Sequence, residues 1–180
     1  MVKTLRKNGH NLAKTVWFLG LLAFAAPAAA AWAILNIGRH EGCPPGAAAC
    51  SRLPELGVFF KHALDISWLL SMNAMVLIPL ALLVALAAIL ARSPARAFIG
   101  VFAGPTAALL LPVLVVMSAI YPGCNVNEGG GSCTFWGVAM GDSFTTASIA
   151  PWMVYIIPPV GFAAAMVVMA VAYIVKRQRA

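Results

Sequence analysis

Four long runs of the 180-residue chain contain no Asp, Glu, Lys, Arg or His: residues 15–37, 66–91, 97–121 and 149–175. Each exceeds the ~20 residues a helix needs to cross a ~30 Å hydrocarbon core. No water is available there, so a spanning segment must satisfy its own backbone hydrogen bonds, as a helix does. Strands of a membrane barrel would be ~10 residues long and would alternate polar with apolar, and these runs do not alternate. The chain is 62% apolar and 9% charged, whereas a soluble domain carries roughly 25% charged residues. A chain this short also has too much surface for its volume to hide that apolar area from water. Soluble single-domain, disordered and collagen-like readings are excluded. The expected fold is an all-α integral membrane protein: a four-transmembrane-helix bundle, one domain over residues 1–180, with outer loops at 38–65 and 122–148.

The first run has a rival reading. Lys3, Arg6, Lys7 and Lys14 precede an apolar segment from Val16 to Ala26, and Ala28-Ala29-Ala30 follows. That order of basic head, apolar core and small residues is how a secretory signal peptide is written. The apolar run does not stop at the alanines, however, but continues through Trp32, Ile34, Leu35 and Ile37. Its length favours a retained spanning helix.

The net charge of +7 invites a nucleic-acid reading, but no basic face with interleaved aromatics exists on a soluble element. The bases sit at the ends of the apolar runs instead. Lys3, Arg6, Lys7, Lys14, Arg92, Arg96, Lys176, Arg177 and Arg179 flank one side; only Arg39, Arg52 and Lys61 share the other with the acids Glu41, Glu55, Asp65, Glu128 and Asp142. Positive segments stay cytoplasmic. Both termini are therefore expected inside and the two loops outside, in an inner (plasma) membrane.

The cysteines agree independently. Cys43 and Cys50 fall in the first outer loop, Cys124 and Cys133 in the second. An oxidising exterior permits disulfides, and short loops without a core gain from them. Four cysteines allow three connectivities; proximity favours the local pairs. Rings that short contribute ~2–3 kcal/mol by restricting the unfolded loop. Pro44-Pro45-Gly46 and Gly129-Gly130-Gly131 supply the turns. A soft-metal site from His40, Cys43, Cys50 and His62 is a weaker reading, because no C-x-x-C or H-x-x-x-H spacing accompanies it.

Four helices, both termini inside and one cysteine pair per outer loop resemble the bacterial quinone-linked disulfide-bond oxidases, the DsbB-type family. The resemblance covers topology and length. It implies a thiol–disulfide oxidoreductase cycling Cys43–Cys50 and Cys124–Cys133 against a quinone. The family's first pair is a C-x-x-C with an arginine shortly after it. Here six residues separate Cys43 from Cys50, and Arg52 follows at a different spacing. A redox pair also needs a thiolate of lowered pKa and an exposed sulfur, and no neighbour in the sequence supplies the first.

Other catalytic signatures are missing: there is no Gly-Lys-Ser/Thr phosphate loop, no H-E-x-x-H and no G-x-S-x-G. No histidine lies in a run to ligate haem. Asp65 stands at the outer mouth of the second run, as a cap or a polar vestibule. Asn73, two turns deeper, is the polar intramembrane residue, expected to make one interhelical hydrogen bond of about 1 kcal/mol. Small residues mark the packing faces: the Gly100-x-x-x-Gly104 step, Gly161 with Ala165, and Ala23, Ala26, Ala30 and Ala31. Prolines 27, 79, 105, 112, 151, 158 and 159 are expected to kink the helices and open room for a lipid, quinone or pigment, although no ligating side chain specifies a cofactor.

The functional expectation is a non-catalytic protein acting by protein–protein contact, as an accessory subunit of a membrane complex or as a membrane immunity protein. Membrane-resident immunity proteins against pore-forming toxins resemble it in size and in their short-looped helices. A small-solute pore or transporter component is a further alternative. The candidate partner surface is an apolar cap from the two loops, with Phe59, Phe60, Phe135 and Trp136 as anchors; a headgroup-level aromatic belt is the competing use.

Overall fold

The computed structural model describes residues 2–50, 52–122, 124 and 133–178, with side chains from residue 9 onward. Helix α1 runs Val2–His40, α2 Leu56–Met72, α3 Ala74–Leu90 and α4 Pro94–Phe98. A π-helical turn, Ile99–Ala103, leads into α5, Gly104–Ala119. A two-stranded hairpin follows, β1 Thr134–Phe135 and β2 Val138–Ala139, and then α6 Gly141–Val154 and α7 Ile157–Arg177. Gly129, Gly130, Gly131 and Glu128, expected in the second loop's turn, lie outside the described residues, as does Arg179. Among the described residues three helical stretches are long and apolar enough to cross a membrane: Gly9–His40, Pro94–Ala119 and Ile157–Arg177. The bent pair α2–α3 makes a fourth if it is one span.

The helix limits depart from the apolar runs, and backbone chemistry explains where. The second run, expected as one helix over 66–91, begins ten residues early and breaks at Asn73, where α2 and α3 meet at 74°. Asn73 is extended (φ −92°, ψ 106°), and its side chain accepts a hydrogen bond from the Met75 amide. It is thus the N-cap of α3, and its side-chain bond is local instead of the interhelical hydrogen bond expected of it. The fourth run, expected as one helix over 149–175, is preceded by a helical start at Gly141 and interrupted at Tyr155–Ile156. Pro158 and Pro159 have no amide hydrogen to offer the carbonyls four residues back, so α6 cannot continue into α7 unbroken. In the third run Pro105 likewise cannot donate to Val101. The Gly104 amide reaches back to the Ile99 carbonyl instead, which widens the turn into π geometry.

Helix α1 is the central element and packs against α2, α3 and α5. Its inward stripe is Ala13, Gly20, Phe24, Ala28, Ala31, Leu35 and Gly38, at steps of three, four or seven. The alanine face expected from sequence is corrected: Ala26 and Ala30 point outward, Ala23 is half-buried, and only Ala31 is in the stripe. Neighbouring bulk selects the face. Val84 of α3 fills the space beside both Gly20 and Gly100, and the Phe24 ring fills the space beside Gly104. The G-x-x-x-G step is therefore occupied from within the chain, and backbones approach there because no Cβ intervenes. A Cβ added at Gly161 of α7 would stand at ordinary contact distance, 3.5 Å, from the Val101 carbonyl oxygen. Otherwise α7 is peripheral, burying only Ala165 and Ala172.

Candidate functional site: a cross-linked aromatic cap

The largest buried cluster joins the ends of α1, α2 and α5 to the hairpin and to α6. Its organising residue is Trp136. Between the two-residue strands, Trp136 (φ 49°) and Gly137 (φ 81°) form a two-residue turn with both φ positive, the type that matches strand twist. Gly adopts that region freely, but Trp does not. Three contacts hold the Trp there. Its ring covers Gly38 of α1, where any Cβ would overlap it, and its Nε1–H donates to the carbonyls of Cys43 (3.3 Å) and Pro44 (3.2 Å). The hairpin is thereby fastened to the first cysteine loop.

Phe135 stacks on Phe60 of α2 with centroids 4.6 Å apart and planes at 18°. Phe144 of α6 meets Phe135 edge-on at 6.4 Å. Gly57 lets α2 approach the hairpin backbone: a Cβ would stand 2.9 Å from the Phe135 carbonyl oxygen and 3.0 Å from that of Trp136. At the end of α5, the Tyr121 hydroxyl donates to the Thr134 carbonyl at 2.7 Å, and its ring lies over Gly46. Arg39 donates to the Ser118 carbonyl, and Arg52 pairs with Glu41 at 3.3 Å.

The cysteines complete this cap as adjacent pairs. The sulfurs of Cys43 and Cys50 stand at disulfide distance, as do those of Cys124 and Cys133, with Cα separations of 5.5 and 4.7 Å. Cys50 and Cys133 are 1% and 2% exposed. Cys43 is buried as well, so the first pair offers an attacking thiolate no open sulfur, whereas Cys124 of the second pair is half-buried. Paired sulfur is also not the thiolate that a soft metal requires, and among the described residues no three of His, Cys, Asp and Glu converge.

The anchors expected to face a partner are redistributed. Phe60, Phe135 and Trp136 are buried in the chain's own core, and Phe59 alone stays open at 59% exposure. The expectation that all four form an exposed aromatic face is corrected: of them only Phe59, on the outward side of α2, is exposed. The reason is the pairing of the two loops: each supplies the surface that the other's aromatics cover.

A polar cluster borders the cap. Lys61 and Asp65, one turn apart on α2, pair at 2.6 Å, and the Ser143 hydroxyl of α6 donates to the other oxygen of Asp65 at 2.5 Å. Asp65 lies inside α2 and not at its mouth, because the helix starts at Leu56. A serine on a carboxylate with no base between them is a hydrogen bond joining two helices, not an activated nucleophile. Sequence reasoning does not find this link, since Asp65 and Ser143 are 78 residues apart. The hairpin had a readable signal in Thr134-Phe-Trp-Gly-Val-Ala139, a β-prone pair on each side of a turn ending in Gly.

Farther from the cap, the break before α7 and the turn before α5 leave a cleft of about 300 Å³ with α3, walled by Leu77, Ala81, Val101, Pro105, Ile157 and Gly161. Its walls are apolar and offer no metal ligand or acid–base group.

These features define a class: an all-α protein with helices fit for multiple membrane crossings and two adjacent cysteine pairs gathered in one cap. The chain matches no family model, no curated protein and no solved structure.

Proposed function

We propose that this is a non-catalytic, four-span inner-membrane protein with both termini cytoplasmic and its disulfide-bearing cap outside, acting by contact with a membrane-protein partner. The observation that carries this reading is the cap itself: cysteine pairs, aromatic core and hairpin are used up in holding helix ends together. Accessory subunit and immunity protein are the two forms such a role takes. The burial of both Cys43 and Cys50 weighs against the quinone-linked oxidase, whose first pair needs a sulfur open to exchange.

Phe59, on the outward face of α2 beside Val58 and Ile66, is the proposed contact. A photo-crosslinking residue at position 59 in native membranes should give one discrete heavier product. The same residue at Trp152, which is 71% exposed on α6, should give only lipid adducts. Phe59→Ala should weaken the association by ~1–3 kcal/mol without affecting insertion. Equal labelling patterns at 59 and 152 would reject a cap-centred contact.

A further inference from the structure

Both interrupted runs turn backbone outward at the interruption. At the α2–α3 bend the Met75 amide goes to the Asn73 side chain and the Val76 amide to the Asn73 carbonyl. In an unbroken helix those two amides would serve the carbonyls of Ser71 and Met72. At the α6–α7 break Pro158 and Pro159 have no amide hydrogen for the carbonyls of Val154 and Tyr155. Among the described residues no backbone amide is bonded to the Tyr155 carbonyl. Asn73 and Tyr155 are both exposed. Hydrocarbon offers no donor to an irregular, lipid-exposed backbone, so such segments stop at its edge.

Composition changes at the same two places. Helix α2 carries Lys61, His62 and Asp65, whereas α3 has no charged residue between Ala74 and Leu90. Helix α6 opens with Asp142, Ser143, Thr145 and Thr146, whereas α7 is uncharged until Lys176. The helices beyond the breaks are long enough to cross alone. They have 17 and 21 residues, about 25 and 30 Å at 1.5 Å per residue, against a ~30 Å core. Bases stand at their far ends, Arg92 just past α3 and Lys176 with Arg177 on the last turn of α7. Exposed aromatics mark both ends of α7: Trp152 with Tyr155, ring centroids 6.5 Å apart, before it and Tyr173 near its close. Tryptophan and tyrosine collect at the two headgroup levels.

We infer that the hydrocarbon edge on the cap side runs through the two breaks. Helices α3 and α7 then cross alone, with α1 and the Pro94–Ala119 stretch, and α2 and α6 lie in the phospholipid headgroup zone. The partner of this face is the bilayer's own polar surface. Water and headgroup donors serve the freed carbonyls, and the Trp152–Tyr155 pair sits at the glycerol level. The charges of α2 stay out of hydrocarbon, where they are costly, and the 74° bend turns α2 away from the span that follows it. This division of the chain rests on the four-span reading proposed above.

The test is a depth measurement on the full chain in phospholipid vesicles. A ketone-bearing amino acid, placed at one position at a time and coupled to a nitroxide, leaves the cysteines untouched. Collisions of the nitroxide with oxygen and with a water-soluble nickel chelate report its depth. The positions are Met75 and Leu82, and Tyr155 and Val167, all of them exposed. Leu82 and Val167 should favour oxygen. Met75 and Tyr155 should favour the chelate and lie shallower than their counterparts by about 10 Å or more, from the rise per residue. In unbroken spans over 66–91 and 149–175 the members of each pair would flank the centre at similar depth. Equal depth within either pair would overturn the inference and leave four spans in place. Labels at Met75 and Tyr155 that meet neither collider would set the breaks against protein and overturn it as well. Shallow readings at all four positions would remove the four-span reading along with it.

Discussion

Single glycines decide how closely this chain can pack, and the same residue type has opposite consequences at different places. At Gly57 a methyl group would meet two carbonyl oxygens of the hairpin. Backbone cannot rotate aside as a side chain can, so Gly57→Ala should loosen the cap and lower the thermal midpoint in detergent. At Gly9 nothing lies within 4 Å, and Gly9→Ala should stabilise α1 by about 0.5–1 kcal/mol through reduced backbone entropy in the unfolded chain. Trp136→Ala empties the centre of the cap and abandons two hydrogen bonds to the first cysteine loop. A loss of ~3–5 kcal/mol is expected, read as reversible unfolding in mixed micelles. An unchanged midpoint for Trp136→Ala would mean that the ring is not the cap's anchor.

At the scale of elements, the interruptions carry the information. Asn73→Ala removes the side-chain cap of α3 and should cost about 1 kcal/mol, with a change in the distance between spin labels on α2 and α3 as the bend relaxes. Reducing the cysteine pairs should cost ~2–3 kcal/mol for each ring, measured as the shift in midpoint with and without reductant. The apolar runs themselves were legible, because the absence of charge over such lengths has few other meanings. Their limits were less so. Residues 56–65 of α2 contain Lys61, His62 and Asp65, which read as loop by composition, yet that helix is amphipathic with Leu56, Phe60, Ala63 and Leu64 inward. Pro158 and Pro159 read as a kink within one helix over 149–175, where the structure has a break at Tyr155–Ile156, whereas the bend at Asn73 has no proline beside it. Of the candidate site, the cysteine loops and the aromatic residues were visible in the chain. Which aromatics would face inward was not, since that depends on two loops some 90 residues apart covering one another, as the Trp136 to Cys43 and Pro44 bonds show.

At the scale of the whole molecule, charge and cross-links separate to opposite ends. Basic residues cluster at one end and the cysteines at the other, so the proposed orientation draws on two independent arguments, the positive-inside tendency and an oxidising exterior. Reporter fusions at Lys7, Pro94 and Gln178 should read cytoplasmic, and fusions at Ala48 and Gly130 exterior; a cytoplasmic signal from either loop would reverse the orientation. The central claim is that the cap is a permanent structural clamp in a non-catalytic protein. It is tested most directly by quenching intact cells with acid and alkylating the denatured protein with a mass-shifting maleimide, without reductant. The account predicts no labelled cysteine among Cys43, Cys50, Cys124 and Cys133, and no mixed disulfide when Cys50→Ala exposes Cys43. A partly reduced pool in the unaltered chain, or a trapped disulfide-linked partner on Cys43, would contradict it and establish cycling thiol chemistry instead.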